Sequence, residues 1–205
     1  MRLGFHYHIP ALKKDGNIYL PGYLGRFLDN LADDCQSLTC FLHTPVGSEI
    51  DQMDYALQNK KIDLVDIGGH TSVPRRMVTA GRVKSIIRAY CGELDALLIR
   101  GPSPLLPQVA SACQKLPLAL LLVGDYLAGI DDLPQPTWRK ELIRLWSKWN
   151  ATRQIEIAKK ALVFVNSHLL YQQLKGQAPH LVETRTTTLS ASDFYEREDT
   201  CQSKP

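Results

Sequence analysis

The segment Pro117-Leu-Ala-Leu-Leu-Leu-Val-Gly-Asp-Tyr126 decides the predicted fold. Its apolar run, Leu118 to Val123, follows a proline and stops at Gly124 and Asp125. An uninterrupted apolar run bounded by turn residues is typical of a strand covered on both faces, as in a parallel sheet. A buried helix segment is the alternative, but the run is too short to cross a domain as a helix. Ligands of open parallel sheets bind outside the carboxyl ends of the strands, so Asp125 is the first ionisable group where such folds carry out chemistry.

The composition is that of a globular protein. The 205 residues are 44% hydrophobic and 22% charged, which predicts one large domain or two small ones. A net charge of +3 gives no general argument for nucleic acid, and we expect no nucleic-acid partner. The N-terminus lacks the apolar core of a signal peptide, and no apolar run approaches the roughly 20 residues of a membrane span. We therefore expect a cytoplasmic protein.

The cysteines and histidines predict no metal site. The five cysteines are widely spaced with no C-x-x-C pair, which favours reduced thiols over a disulfide framework or a zinc site. The histidines lack H-x-x-H or H-E-x-x-H spacing. His6 and His8 point to one face of the first predicted strand, and His8 lies near its carboxyl end. His43, His70 and His168 also fall at or beyond strand ends; taken singly, each histidine fits a structural or exposed role better than a catalytic one.

Predicted strands and helices alternate along the chain. Strands are predicted at 1–7, 37–43, 62–67, 96–100, 117–123, 162–165 and 181–186. A long polar loop is predicted at 8–20 and a short helix around 48–57. Further helices are predicted to open at Pro21 and at Ser103-Pro104, to run over about 72–91 and 137–160, and to follow the Asn166-Ser167 cap up to Gly176. This order predicts an α/β, Rossmann-like three-layer domain with a mainly parallel sheet and helices on both faces. We assign it to residues 1–188, with 189–205 as a linker or tail that has little to bury.

The glycines near the N-terminus give an ambiguous signal. The chain has neither G-x-G-x-x-G at a strand-to-helix turn nor a Walker sequence, which disfavours the usual NAD and ATP sites. Gly16 and Asn17 lie in the predicted loop before a helix, where backbone N–H groups can face a phosphate. Alternatively, Gly16-Asn17 is only a turn, and Gly22 and Gly25 allow close helix packing.

Several segments together resemble the N-terminal half of a GT-B glycosyltransferase, most like the large retaining family 4 type. The resemblance covers residues 1–195 and rests on the first strand with its Gly16-Asn17 loop, Arg100 at a strand end, Val123-Gly-Asp-Tyr126, and Ala158-Lys-Lys-Ala-Leu-Val-Phe-Val-Asn-Ser-His-Leu-Leu170. Two features depart from the family. Gly16-Asn17 replaces the usual Gly-Gly, and Asp125 stands where many members have a histidine.

The resemblance implies a reaction and a site. A sugar would pass from a nucleotide-sugar donor to a hydroxyl acceptor, which is a sugar or a lipid-linked molecule, without a cofactor or metal. Asp125 would be catalytic, and Arg100, His8 and Tyr126 would bind the acceptor. The donor phosphates would face Gly16 and Asn17.

The resemblance also implies a missing half. The donor-binding C-terminal domain of the family is absent from this chain and would have to be supplied in cis or in trans. We therefore expect the chain to be inactive alone.

The residue chemistry fits these roles but also simpler ones. Asp125 can hydrogen-bond a sugar hydroxyl and Arg100 can pair with a phosphate or carboxylate. The simpler interpretations are a loop-capping aspartate and a surface salt bridge. A non-catalytic Rossmann-like module that binds a sugar, nucleotide or protein is the alternative function. A flavodoxin-like regulator fits less well, because it would need an acidic cluster where His6-Tyr-His8 stands.

One predicted helix has an unusual charge pattern. Lys140, Arg144 and Lys148 recur every four residues beside an apolar stripe of Trp138, Leu142, Leu145 and Trp149. A basic amphipathic helix can lie on an anionic membrane, which would place the enzyme at the membrane periphery. The alternative is a solvated basic face with the apolar face packed on the sheet.

Overall fold

The computed structural model describes residues 1–127 and 130–184. The strands in these ranges are β1 (Arg2–Pro10), β2 (Leu12–Lys14), β3 (Asn17–Leu20), β4 (Ser37–Thr44), β5 (Tyr55–Ala56), β6 (Ile62–Gly69), β7 (Ala96–Gly101), β8 (Leu118–Leu122), β9 (Leu162–Val165) and β10 (His180–Glu183). The helices are α1 (Gly22–Asp33), α2 (Val73–Val78), α3 (Ala80–Tyr90), α4 (Leu106–Ala110), α5 (Thr137–Ala158) and α6 (His168–Leu174), with a 3-10 helix at Gly47–Gln52.

The main sheet confirms the predicted α/β, Rossmann-like class. Seven strands pair in the order β10-β9-β8-β7-β1-β4-β6, and the pairs are parallel. The chain moves outward from β1 to β4 and β6, then crosses back to β7 and continues to β10 on the other side. This reversal beside β1 is the topological switch point at which ligands of open α/β sheets bind.

Alternating side chains build a core on each face of the sheet. One core contains Phe41, Ile99 and Leu120, and the buried faces of α3, α4 and α6 and the end of α5 pack against it. The other contains Phe5 and Leu121 and is covered by α1. The predicted helices on both faces are therefore present, with most of them on the first face.

The predicted loop at 8–20 is wrong. β1 continues to Pro10, and β2 and β3 form an antiparallel hairpin to which β5 adds a third strand. The hairpin turns at Asp15 and Gly16, whose φ angles of 50° and 78° are both positive. An Asp-Gly pair favours such a two-residue turn, and it overrides the polar composition of the segment.

Other elements differ in their bounds. The helix predicted at 72–91 is split into α2 and α3 at Thr79. The short helix predicted at 48–57 becomes the 3-10 helix and β5. α4 begins after Leu105 rather than at Ser103. The last strand ends at Glu183, and the predicted linker at 189–205 lies outside the described residues.

Two cysteines differ from the prediction of reduced thiols. Cys91 and Cys113 form a disulfide with a Cα–Cα distance of 5.6 Å. The sequence could not show this pairing, because it depends on the packing of α3 against α4. Cys35 and Cys40 are buried free thiols.

Gly25 of α1 tests the packing between the helix and the hairpin sheet. A Cβ atom at Gly25 would lie 2.3 Å from Cδ1 of Tyr55, whose hydroxyl donates to Asp29. We expect Gly25→Ala to lower the free energy of unfolding by about 1–3 kcal/mol, because the ring must move. The matched control is Gly81→Ala in α3, where a Cβ would meet nothing within 4 Å. Chemical denaturation measures both, and equal stabilities of the two variants would contradict this packing.

Candidate functional site

The parallel register brings four histidines to the carboxyl edge of the sheet. Pro10 of β1 lies opposite His43 of β4, and Thr44 of β4 lies opposite Gly69 of β6. His70 therefore follows directly at the end of β6, with its ring centroid 5.6 Å from that of His43. His6 and His8 come from β1, on the face opposite Phe5 and Tyr7.

Each imidazole uses one nitrogen to hold its position. Nδ1 of His43 donates to the Gly68 carbonyl at 3.0 Å, and Nδ1 of His70 contacts a carboxylate oxygen of Glu49 at 2.6 Å. His8 hydrogen-bonds the Pro102 carbonyl. The other nitrogen is buried without a partner in all three: Nδ1 of His8, Nε2 of His43 and Nε2 of His70. For His8 and His43, each of which uses its other nitrogen to donate to a carbonyl, these geometries assign the unpartnered nitrogen as a lone pair in the neutral ring.

Both ring nitrogens of His6 have a hydrogen-bond partner. Its Nδ1 donates to the Phe41 carbonyl at 2.9 Å and its Nε2 lies 3.2 Å from Oγ of Ser103. His6 therefore ties β1 to β4 and to the loop after β7 rather than facing a ligand.

Arg76 of α2 supplies a buried cation. Its side chain is 6% exposed, and its Nε and Nη1 have no hydrogen-bond partner. Within residues 1–127 and 130–184, no carboxylate comes within 4 Å of its guanidinium; Glu49 is the acidic group that acts on it from farther away. Burial lowers the pKa of Arg76. We call Arg76, His8, His43 and His70 the Arg76 cluster.

Burial keeps two imidazoles of the cluster neutral. Burial, the largest cause, and the charge of Arg76 together lower the pKa of His8 and of His43 to about 4. Burial also lowers the pKa of His6 to about 3. At neutral pH His8 and His43 therefore place hydrogen-bond acceptors beside the buried cation of Arg76.

This combination selects a kind of ligand. A guanidinium with two free N–H groups binds phosphate or carboxylate oxygens. Neutral imidazole lone pairs accept hydrogen bonds from hydroxyl groups. The ligand that satisfies both is an anion that also carries hydroxyls, such as a sugar phosphate.

The predicted acceptor residue Arg100 lies on the opposite face of the sheet from the cluster. Its guanidinium is enclosed by aromatic rings, at 4.8 Å from the ring centroid of Tyr7, 5.2 Å from Phe27 and 6.0 Å from Tyr23. It is 9% exposed and its Nε has no partner, and burial lowers its pKa. Arg100 is therefore not the surface salt bridge of the simpler interpretation, because aromatic faces rather than a carboxylate hold it.

Tyr126 lies at the same edge, but its hydroxyl is already hydrogen-bonded to the backbone of Ser103. Its hydroxyl donates to the Ser103 carbonyl at 2.6 Å and accepts from the Ser103 N–H at 3.1 Å. Burial raises its pKa. Since Ser103 in turn contacts His6, Tyr126 fixes the loop after β7 against β1.

Asp125 is exposed at the edge of a small cavity. Its Oδ1 accepts the N–H of Leu127 at 3.0 Å, which is the loop-capping arrangement. Asp125 lines the adjacent cavity of about 200 Å³, whose walls combine glutamines of α5, α6 and the segment after α6 with apolar side chains: Gln154, Gln173 and Gln177, and Ala151, Ile155, Leu170 and Leu174.

The predicted phosphate-binding residues lie elsewhere. Gly16 and Asn17 belong to the exposed turn of the β2–β3 hairpin, not to the start of α1. The first N–H of α1, at Gly22, already donates to Asp54 at 2.8 Å. The structure thus groups His8 with Arg76, His43 and His70, and it does not bring Gly16 or Asn17 into that cluster.

Sequence reasoning did not select Arg76 as a site residue. A partial signal existed, because Arg76 belongs to a run from Ser72 to Gly92 that has basic residues and no acidic one. What the sequence did not show is which of these cations is buried. That choice depends on the end of β6 and on the break between α2 and α3.

Other features of the described residues carry less chemistry. No group of three or more His, Cys, Asp or Glu side chains there is arranged to hold a metal ion. No helix in the described ranges has the length and hydropathy to cross a membrane. Two larger cavities, of about 460 and 410 Å³, both lie against Cys113, away from the Arg76 cluster.

Comparisons with known proteins give no family. No protein-family model and no curated protein matches the sequence. One crystal structure that aligns with the chain is of a protein assigned as a UDP-N-acetylglucosamine 2-epimerase from Listeria monocytogenes, with 14% sequence identity and a TM-score of 0.49. The alignment covers 88% of this chain and 44% of that protein, so this chain spans less than half of its length.

The buried histidines make stability depend on pH. The folded pKa values of His6, His8 and His43 lie below the ordinary value of 6.5, so the unfolded chain takes up protons first as the pH falls. The free energy of unfolding should therefore be highest above about pH 7 and fall toward pH 4, by about 1.4 kcal/mol per pH unit for each histidine.

His43→Asn tests this dependence, because its amide can still donate to Gly68 while the titration is lost. We expect the slope of the unfolding free energy against pH to drop by about 1.4 kcal/mol per unit. Urea unfolding between pH 5 and 8 measures it. An unchanged slope would show that His43 is not held neutral.

Proposed function

We propose that this chain is the acceptor-side domain of a nucleotide-sugar-dependent glycosyltransferase, in which the Arg76 cluster holds a phosphate-bearing part of the substrate. The retaining family 4 type is the form that the sequence resemblance suggests. The observation that supports the proposal most is the Arg76 guanidinium, buried at the carboxyl edge of a parallel sheet without a carboxylate within 4 Å among the described residues.

A buried cation without a close partner costs stability. Moving a charge out of water is unfavourable unless a partner compensates it, and burial lowers the pKa of Arg76 as this cost requires. Such a cost is typical of a site prepared for an anion that the ligand brings. The crevice rule places that ligand at the same edge.

The neighbouring side chains would bind the other parts of the substrate. Imidazole lone pairs of His8 and His43 would accept hydrogen bonds from substrate hydroxyls. A bound anion would raise the pKa of both rings, because it opposes the effect of Arg76. Asp125 would contact the acceptor from the adjacent cavity and Arg100 would bind a second anionic group, while Gly16 and Asn17 would meet the donor only across a cleft.

A non-catalytic binding module is the second candidate. The observation that favours it is the carboxylate of Asp125, which caps its own loop, while Glu49 is bound to His70 and to the N–H of Val46. In this case the cluster would bind a sugar phosphate or nucleotide without turnover.

The first test compares two adjacent arginines of α2. Arg76→Met should weaken binding of uridine diphosphate at least tenfold, because the buried cation is lost. Arg75→Met, at an exposed position one residue earlier, is the matched control and should bind like the wild type. Isothermal titration calorimetry measures both affinities.

The same variants separate a binding role from a structural one. If Arg76 is kept for a ligand, Arg76→Met without ligand should be as stable as the wild type or more stable, because a buried charge is removed. A large loss of stability together with unchanged affinity for uridine diphosphate would overturn the proposal.

A second test concerns catalysis. In the full reading frame, screened with a panel of nucleotide sugars, Asp125→Ala should abolish sugar transfer while leaving binding of uridine diphosphate unchanged. Circular dichroism checks that the variant folds. Wild-type transfer rates would remove Asp125 from the site, and nucleotide binding without any transfer by the wild type would favour the binding module.

A further inference from the structure

Helix α5 exposes an apolar stripe to solvent. Trp138, Leu142, Leu145 and Trp149 are 67%, 58%, 67% and 47% exposed. At 3.6 residues per turn these four positions fall within an arc of about 60° and span about 17 Å along the helix. We call them the Trp stripe. The alternative in which this apolar face packs on the sheet is therefore wrong.

The polar side of the same helix is the buried one. Ser147, Asn150 and Gln154 are 2%, 1% and 8% exposed, and Ala158 is fully buried in the core. Nδ2 of Asn150 donates to the Trp146 carbonyl within the helix. Because the body of the domain fixes this side, α5 cannot turn its Trp stripe inward without losing those contacts.

The charges beside the stripe are positive. Arg139, Lys148 and Arg153 are exposed and flank it on both sides, and among the described residues none has a carboxylate partner within 4 Å. Arg153 lies over the ring of Trp149 at 4.4 Å. The acidic residues of this surface are already paired, Glu141 with Arg144 and Glu156 with Lys159.

The predicted basic stripe is only partly available. Lys140 donates to the Asp131 carbonyl, and Arg144 pairs with Asp131 and Glu141, so both cations face the loop before α5. Lys148 is the member of that stripe that stays exposed without a pair in the described part of the chain. The free positive charge therefore lies on Arg139, Lys148 and Arg153.

One turn of α5 lies at the carboxyl edge of the sheet. The ring of Trp146 contacts Tyr126, which binds Ser103 at that edge. Three members of the stripe, Trp138, Leu142 and Leu145, precede Trp146 in α5, over about 12 Å of the helix axis at a rise of 1.5 Å per residue.

We propose that the Trp stripe docks this protein on an anionic lipid bilayer. Tryptophan and leucine side chains enter the interface between headgroups and acyl chains, and flanking arginine and lysine contact anionic headgroups. A second copy of the chain is a poorer occupant, because pairing two stripes would bring the unpaired cations of both copies together.

This inference goes beyond the proposed function and does not depend on it. Vesicle binding would use the outer face of α5, whereas the Arg76 cluster lies between β1, β4, β6 and α2. If both hold, docking through α5 would bring the carboxyl edge close to the bilayer, where a lipid-linked acceptor would be found.

Intrinsic fluorescence gives a direct test. The three tryptophans of the chain are Trp138, Trp146 and Trp149, and all belong to α5. Vesicles of phosphatidylglycerol and phosphatidylcholine should shift the emission to shorter wavelength and sediment the protein, and added salt should weaken both effects. Vesicles of phosphatidylcholine alone should bind much less.

Substitutions define the surface. Leu142→Gln combined with Leu145→Gln should weaken vesicle binding at least tenfold, whereas the control Leu169→Gln, at a 69% exposed leucine of α6, should not. Replacing Lys148 or Arg153 by Gln should weaken binding to anionic vesicles about fivefold each.

Three results would overturn the proposal. The first is an emission spectrum unchanged by anionic vesicles at low salt. The second is a dimer in sedimentation equilibrium that the double leucine variant abolishes, which would assign the stripe to a second copy. The third is protection of Trp138 and Trp149 from iodide in the vesicle-free monomer, which would mean that another part of the chain covers the stripe. Arg76→Met should leave vesicle binding unchanged, so failure of the proposed function is seen separately.

Discussion

The parallel register of β1, β4 and β6 is the constraint on which the candidate site depends. It ends three strands at one edge, so that His8, His43 and His70, which lie far apart in the sequence, meet beside α2. Backbone carbonyls and Glu49 fix one nitrogen of each ring. A one-residue slip of β4 would turn His43 to the other face and dissolve the cluster.

Desolvation determines what this edge can bind. It keeps His8 and His43 neutral and leaves the Arg76 charge without a close partner, so the site presents a cation beside hydrogen-bond acceptors. A sugar phosphate meets both requirements, whereas a simple apolar ligand meets neither. Helix α5 reaches the same edge at Trp146 and exposes its apolar side, so the two proposals together would put a surface for lipids near a site for a polar anion.

The sequence predicted the architecture well where local patterns are strong. The apolar run at Leu118 and the repeated strand–helix order of the chain predicted the parallel sheet, because a strand buried on both faces is apolar along its whole length. It failed where tertiary contacts decide. The Cys91–Cys113 disulfide and the burial of Arg76 among several exposed arginines both depend on packing between distant segments. The hairpin at Asp15 and Gly16 was missed for another reason, because its local turn signal lies in a segment of polar composition. The apolar face of α5 was visible, but its outward direction was not.

A crystal structure of the chain grown with uridine diphosphate would show whether the Arg76 cluster binds a phosphate. Phosphate oxygens of the nucleotide should lie within hydrogen-bond distance of Nε and Nη1 of Arg76, with His8 or His43 also in contact with the ligand. A well-ordered nucleotide bound elsewhere, for example at the turn of the β2–β3 hairpin, with Arg76 unchanged and without a ligand, would contradict it.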